Sequence, residues 1–124
     1  MILGYSTYAA WGTIHFDEGI LNGKKLHSIR EDKAKRWKEG RTIQHVLSHR
    51  TNKQFQFHAN FCTGIELIEI TDRRVFVEGQ ELTEDEIHEL AINDYFENTA
   101  QFFAWFGHSY KGCIIHWTDK RYKK

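Results

Sequence analysis

Two spacings of apolar residues run through this chain. Over most of its length they recur at every second position, the period of a strand with one face turned inward. Ile14 and Phe16 alternate with Thr13 and His15, which predicts a first strand over 13–16. Further strands are predicted over 26–30, 42–48 and 54–61, the last with Phe55, Phe57, Ala59 and Phe61 on one face. Arg50 to Lys53 reads as the turn that leads into it. Ile65, Leu67 and Ile70 carry the pattern past Gly64, a position suited to a bulge or bend. Arg74 to Leu82 reads as a hairpin about Glu78-Gly79, and 113–117 as a closing strand.

Helical spacing breaks in at three places. Asp17 is expected to cap a short helix over 18–22 that stops at Gly23. Thr83 and Glu86 make a capping-box pattern ahead of Ile87, Leu90 and Ala91. Asn98 or Thr99 is expected to cap a helix holding Phe102, Phe103, Trp105 and Phe106, ended by Gly107. Glu31 to Gly40 is densely charged and reads as a loop with a helical turn. Met1 to Gly12 fits neither period; its aromatics suit the end of a barrel or the cover of a pocket. Short, mostly antiparallel strands with peripheral helices predict an α+β, mainly β domain, built as a small β-barrel.

At 124 residues the chain is expected to be one domain over 1–118, with 1–12 an unassigned extension and 119–124 a basic tail. Hydrophobic residues make up 40% of it, which suits a packed core and excludes disorder. No apolar run approaches the ~18 residues of a membrane span, and no cationic leader precedes an apolar one. A cytoplasmic protein without a membrane partner is expected. Cys62 and Cys113 sit in apolar runs without ligand spacing and read as reduced core residues. The eight histidines form no HxH, HExxH or Cys/His cluster, so no metal or cofactor is expected. The zero net charge hides strong segregation. Residues 23–53 carry ten Lys or Arg against three acids, whereas 65–98 carry eleven acids against two Arg.

The densest chemistry lies in Gly23-Lys-Lys-Leu-His-Ser-Ile-Arg30. Gly23 permits a tight turn, and Lys24, Lys25 and Arg30 bring positive charge close to the Ser28 hydroxyl. A solvated basic turn is the plain alternative. Glycine, one residue, lysine, four residues and arginine resembles the signature of the ASCH domain, a branch of the PUA-like superfamily. The order of the surrounding segments from Phe16 to Trp117 resembles that family too. The resemblance implies a PUA-like barrel that acts on RNA or a modified nucleoside. Some members are small amidohydrolases of N4-acylated cytidine, using a lysine, a hydroxyl three residues later and a distant glutamate. Carried onto this chain, the catalytic residues are Lys25, Ser28, where threonine is usual, and Asp94, where glutamate is usual. Gly23, Lys24, Arg30 and Trp37 would contact ligand.

That chemistry is coherent. Serine needs a base to take its proton. An ordinary lysine is too basic to serve at neutral pH unless burial or a nearby cation such as Arg30 lowers its pKa. Strict alternation puts Lys25 and Ser28 on opposite faces, so they converge only if Lys25 lies in the turn before the strand. Asp94 also reads as a helix-end acid, and Trp37 as a packing residue beside Gly40. A binder without chemistry remains open, with Lys24, Lys25, Lys33, Lys35, Arg36, Lys38 and Arg41 on phosphate and Trp37 or Tyr95 stacking a base. A nuclease would need metal ligands from the acids of 78–97.

Overall fold

The computed structural model describes residues 1–48, 52 and 54–124, so the turn expected over 50–53 falls, but for Asn52, outside the described residues. The chain runs β1 (Ile2–Tyr5), β2 (Tyr8–Ala9), β3 (Gly12–Thr13), α1 (Phe16–Leu21), β4 (His27–Arg30), β5 (Thr42–Leu47), β6 (Phe55–Phe61), β7 (Gly64–Thr71), β8 (Arg74–Val77), β9 (Gln80–Glu81), α2 (Glu84–Asn93), α3 (Thr99–Phe106) and β10 (Ser109–His116). Three sheets result. β5 joins β1 in parallel and β6 antiparallel; β2 and β3 form a minimal hairpin; the largest sheet has the order β4-β10-β7-β8-β9, all antiparallel. Among the described residues these sheets stay separate, so the domain is α+β, mostly strands with three helices, and not closed into a barrel.

Local chemistry explains most of the elements. Glu78 and Gly79 both take positive φ, 50° and 81°, as a two-residue hairpin turn requires. Thr83 accepts from the Glu86 N–H while the Glu86 carboxylate accepts from the Thr83 N–H, the reciprocal cap that starts α2. Asn98 accepts from the Gln101 N–H at the head of α3, and Gly107 ends it at φ 82°. One core unites Ile87, Leu90 and Ala91 of α2, Phe102 and Phe103 of α3, and Ile68, Ile70, Val75, Val77 and Ile114 of the large sheet.

Several expectations are corrected. Phe16 opens α1, and of the strand predicted over 13–16 only Thr13 lies in one, β3. The first strand lies inside the unassigned 1–12 segment, whose Leu3, Tyr5 and Ala9 join the core. His15, not Asp17, holds the N-cap position of α1, and it makes no side-chain cap. The run Phe55, Phe57, Ala59, Phe61 does not face the core together: Phe55 and Phe61 are 61% and 63% exposed. A register shift opposite His45/Val46 leaves Phe57 as the extra residue, and its ring packs on Tyr5 and His45. In β7 the buried residues are Glu66, Ile68 and Ile70, and Leu67 points out. A hydropathy reading cannot foresee a buried Glu66, because its carboxylate is satisfied by partners far along the chain.

α1 packs unusually close to the end of α2. Tyr95 takes φ 76° directly after α2, a left-handed position that ordinarily favours glycine. A Cβ at Gly19 would lie 2.7 Å from its ring. Gly19→Ala should therefore push Tyr95 away and destabilise the fold by about 1–3 kcal/mol. A thermal melt unchanged within error would show that the two elements do not pack this closely.

Candidate functional site

α1 ends at Asn22, and Gly23 follows with φ 79°. The N–H groups of Gly23, Lys24 and Lys25 all turn back onto α1, to the carbonyls of Ile20 and Gly19. Lys25 thus sits in the turn before β4, the placement under which it can approach Ser28. Leu26 N–H donates to the Asn93 carbonyl, which docks this turn against the end of α2. The Trp117 indole donates to the Lys25 carbonyl at 3.2 Å. Both ends of the motif are pinned by backbone bonds, so its side chains are aimed before any ligand arrives.

Lys25 Nζ donates to Asp94 Oδ1 at 2.9 Å and to the Asp94 carbonyl at 2.8 Å. The two residues are 69 positions apart and 2% and 3% exposed. Aspartate therefore has the reach despite being one methylene shorter than glutamate, because the C-cap of α2 brings its own backbone to the lysine. The Lys25 ammonium also lies 4.6 Å from the centre of the Phe16 ring. Burial pushes the Lys25 pKa below the ordinary lysine range, against the opposing pull of Asp94. At Asp94 burial pushes upward, but the Lys25 charge and the His27 hydrogen bond outweigh it and hold the carboxyl below the usual carboxylate range. The outcome is a buried ion pair whose lysine gives up its proton more readily than an exposed one.

Ser28 is 1% exposed and pairs with Ile115 of β10, so strand alternation puts it on the face opposite His27 and His116. Ser28 lies close enough to the Tyr5 phenol to counter in part the burial that raises its pKa. Tyr5 in turn hydrogen-bonds His45 Nδ1 at 2.7 Å, and His45 Nε2 meets Asn60 Oδ1 at 2.8 Å. Since Asn60 Oδ1 only accepts, His45 Nε2 donates to it, and Nδ1 accepts from Tyr5. Arg30 spends N–H groups on the Gly4 carbonyl at 2.7 Å and the Ile29 carbonyl at 3.3 Å, with its guanidinium over the Tyr5 ring.

The structure brings Lys25 and Asp94 into contact and ranges Ser28 and Arg30 about Tyr5, but it exposes none of them in an open cleft. A cleft of about 650 Å³ is lined by the neighbours Gly23, Lys24 and Asn93 with Trp11 and Tyr95. It lies against the outer side of the same two turns. One expectation fails here. Trp37 is 7% exposed within the core and offers no open face to a base. The N–H groups at the Gly23 turn are spent inside the α1 cap and cannot serve an oxyanion. Arg30, with unspent N–H groups, is the donor that remains.

Six further residues were not singled out from the sequence. Tyr5 and His45 contact Ser28 directly or through each other, and His27 reaches Asp94 Oδ1 at 3.1 Å. Glu66, His116 and Tyr122 extend the network into the segment read as a basic tail, which is not free: Tyr122 is 6% exposed. A signal for His27 was available, because it lies inside the motif and alternates with Ser28. A lone aromatic among basic residues was the signal for Tyr122. Among the described residues no group of His, Cys, Asp or Glu is placed to hold a metal, and no helix is long and apolar enough to cross a membrane. The chain has no significant match to any protein family, curated protein or solved structure.

Proposed function

We propose that this chain is a PUA-like ASCH domain that hydrolyses the exocyclic amide of an N4-acylated cytidine. Lys25-x-x-Ser28 within the glycine–lysine–arginine spacing motivates the substrate class. The observation that carries the reading is the buried 2.9 Å contact of Lys25 with Asp94, the acid that the resemblance assigns to it. In this scheme the fraction of Lys25 that has lost its proton to solvent, enlarged by burial, takes the Ser28 proton while Oγ bonds to the acyl carbon. Arg30 faces the developing oxyanion. The carbon–nitrogen bond then breaks as the proton passes to N4, and cytidine leaves. Water, deprotonated by Lys25, releases the carboxylic acid from Ser28. Because Ser28 and Lys25 are covered, substrate must displace Tyr5 or Phe16.

The test is release of cytidine from N4-acetylcytidine, followed by absorbance across about pH 6–9. Wild type should turn over, Ser28→Ala should fall by about 10²-fold or more, and Ser28→Thr should keep activity. A binder is favoured by one observation: Lys33, Lys35, Arg36, Lys38 and Arg41 are all exposed. If wild type releases no cytidine yet shifts a single-stranded RNA in a salt-dependent way, that reading replaces the hydrolase.

A further inference from the structure

Behind the Lys25–Asp94 pair runs a chain of hydrogen bonds whose direction is fixed throughout. Asn93 Nδ2 donates to the Tyr122 hydroxyl oxygen at 3.0 Å. An amide nitrogen only donates, so the Tyr122 proton is directed elsewhere, and its other partner is His27 Nε2 at 2.5 Å. Nε2 must then accept, which leaves the ring proton on Nδ1, 3.1 Å from Asp94 Oδ1. The carboxylate that accepts from Lys25 thereby accepts from His27 as well. His27 and His116 are fully buried, while Tyr122 and Asp94 are 6% and 3% exposed, so no solvent competes for these bonds.

Tyr122 is held in place independently of the site. The Glu66 carboxylate accepts from the backbone N–H groups of Tyr122 at 2.9 Å and Lys123 at 2.8 Å, and from His116 Nε2 at 2.9 Å. Arg121 donates to the Thr63 carbonyl at 2.9 Å and the Thr118 carbonyl at 3.0 Å. Seven hydrogen-bonding groups from three segments hold a strap of chain so that one phenol meets one imidazole.

We propose that Tyr122 and His27 are positioning residues: from the strap at 118–124, Tyr122 donates to His27 Nε2 and holds the ring in place, and His27, its tautomer set by Tyr122 and Asp94 together, fixes the orientation of the Asp94 carboxylate toward Lys25. Neither touches the reacting atoms. The proposal rests on the hydrolase reading only for its kinetic consequence, and its structural part stands apart from it. Nitrogen-15 imidazole spectra of the full chain at neutral pH should show His27 neutral, with Nδ1 protonated and Nε2 bare. Tyr122→Phe keeps the ring and removes the donor; the bare Nε2 of His27 should then shift as its hydrogen bond is lost, while Asp94 keeps the proton on Nδ1. In the N4-acetylcytidine assay the same variant should lower kcat by about ten-fold or more with KM little changed, as expected for lost orientation. A wild-type His27 carrying its proton on Nε2, or on both nitrogens, would overturn the proposal without any variant being needed. So would a folded Tyr122→Phe whose His27 spectrum matches wild type. Absence of any wild-type hydrolysis would instead defeat the hydrolase reading, and the tautomer spectra would still decide this one.

Discussion

Replacing Lys25 by methionine is expected to abolish amide hydrolysis and to destabilise the folded chain by about 3–5 kcal/mol. The side chain keeps its volume but loses its charge, and Asp94 stays buried with His27 as its one remaining side-chain donor among the described residues. An uncompensated carboxylate in the interior costs far more than an exposed ion pair contributes. Against the ~5–15 kcal/mol that holds a typical domain together, such a loss is large. The double variant Lys25→Met/Asp94→Leu should recover most of the stability and none of the activity, because replacing both partners removes the orphaned charge. Urea midpoints at constant m-value measure this. If Lys25→Met alone leaves the midpoint in place, the buried pair does not form.

Acid should unfold this protein steeply. His45 and His116 are each pushed down to about 4 by burial, and burial lowers His27 as well. Geometry agrees for His116: Nε2 donates to Glu66, and Nδ1 is buried without a partner, so a proton there would have nothing to donate to. An imidazole with a lowered folded pKa binds its proton more readily when unfolded. Stability is therefore full above the ordinary ~6.5 and is lost as pH falls toward the folded value near 4. Each such histidine contributes a slope of about 1.4 kcal/mol per pH unit, about 4 kcal/mol per unit if all three respond together. Asp94 continues the loss at lower pH, since its depressed pKa gives stability present above ~3.9 and lost below. Lys25, also depressed, adds a rise toward ~10.4 on the alkaline side. Urea midpoints from about pH 7.5 to 4.5 should trace the fall, and His116→Gln should flatten it. A flat profile above pH 5 would mean that these imidazoles are solvated.

Much of this arrangement was legible along the chain, for identifiable reasons. The α2 capping box, the Glu78-Gly79 hairpin and the Gly107 stop are set by residues within four positions of each other, so local chemistry decides them. The pairing of Lys25 with Asp94 came from a resemblance, as nothing in periodicity joins residues 69 apart. What stayed hidden depends on long-range partners. β1 lacks a periodic signature because it is four residues long and pairs in parallel with a strand 40 residues later. Glu66 reads as a surface acid until the strap that satisfies it is in place. The closure of Ser28 beneath Tyr5 is likewise a property of packing between sheets.

The order in which the site can come into being follows from β10 lying between β4 and β7. Among the described residues β4 has no strand neighbour other than β10, so His27 to Arg30 cannot be fixed as a strand until residues 109–116 have arrived. Asp94 depends further on His27, and His27 on Tyr122. A chain growing from its N-terminus therefore carries Lys25 and Ser28 without an ordered site around them until Tyr122 has been made. Pairing across such sequence distances is slow and comes late, because loop closure precedes its reward. Lys25, Ser28 and the residues that hold them should thus become ordered together in one late step.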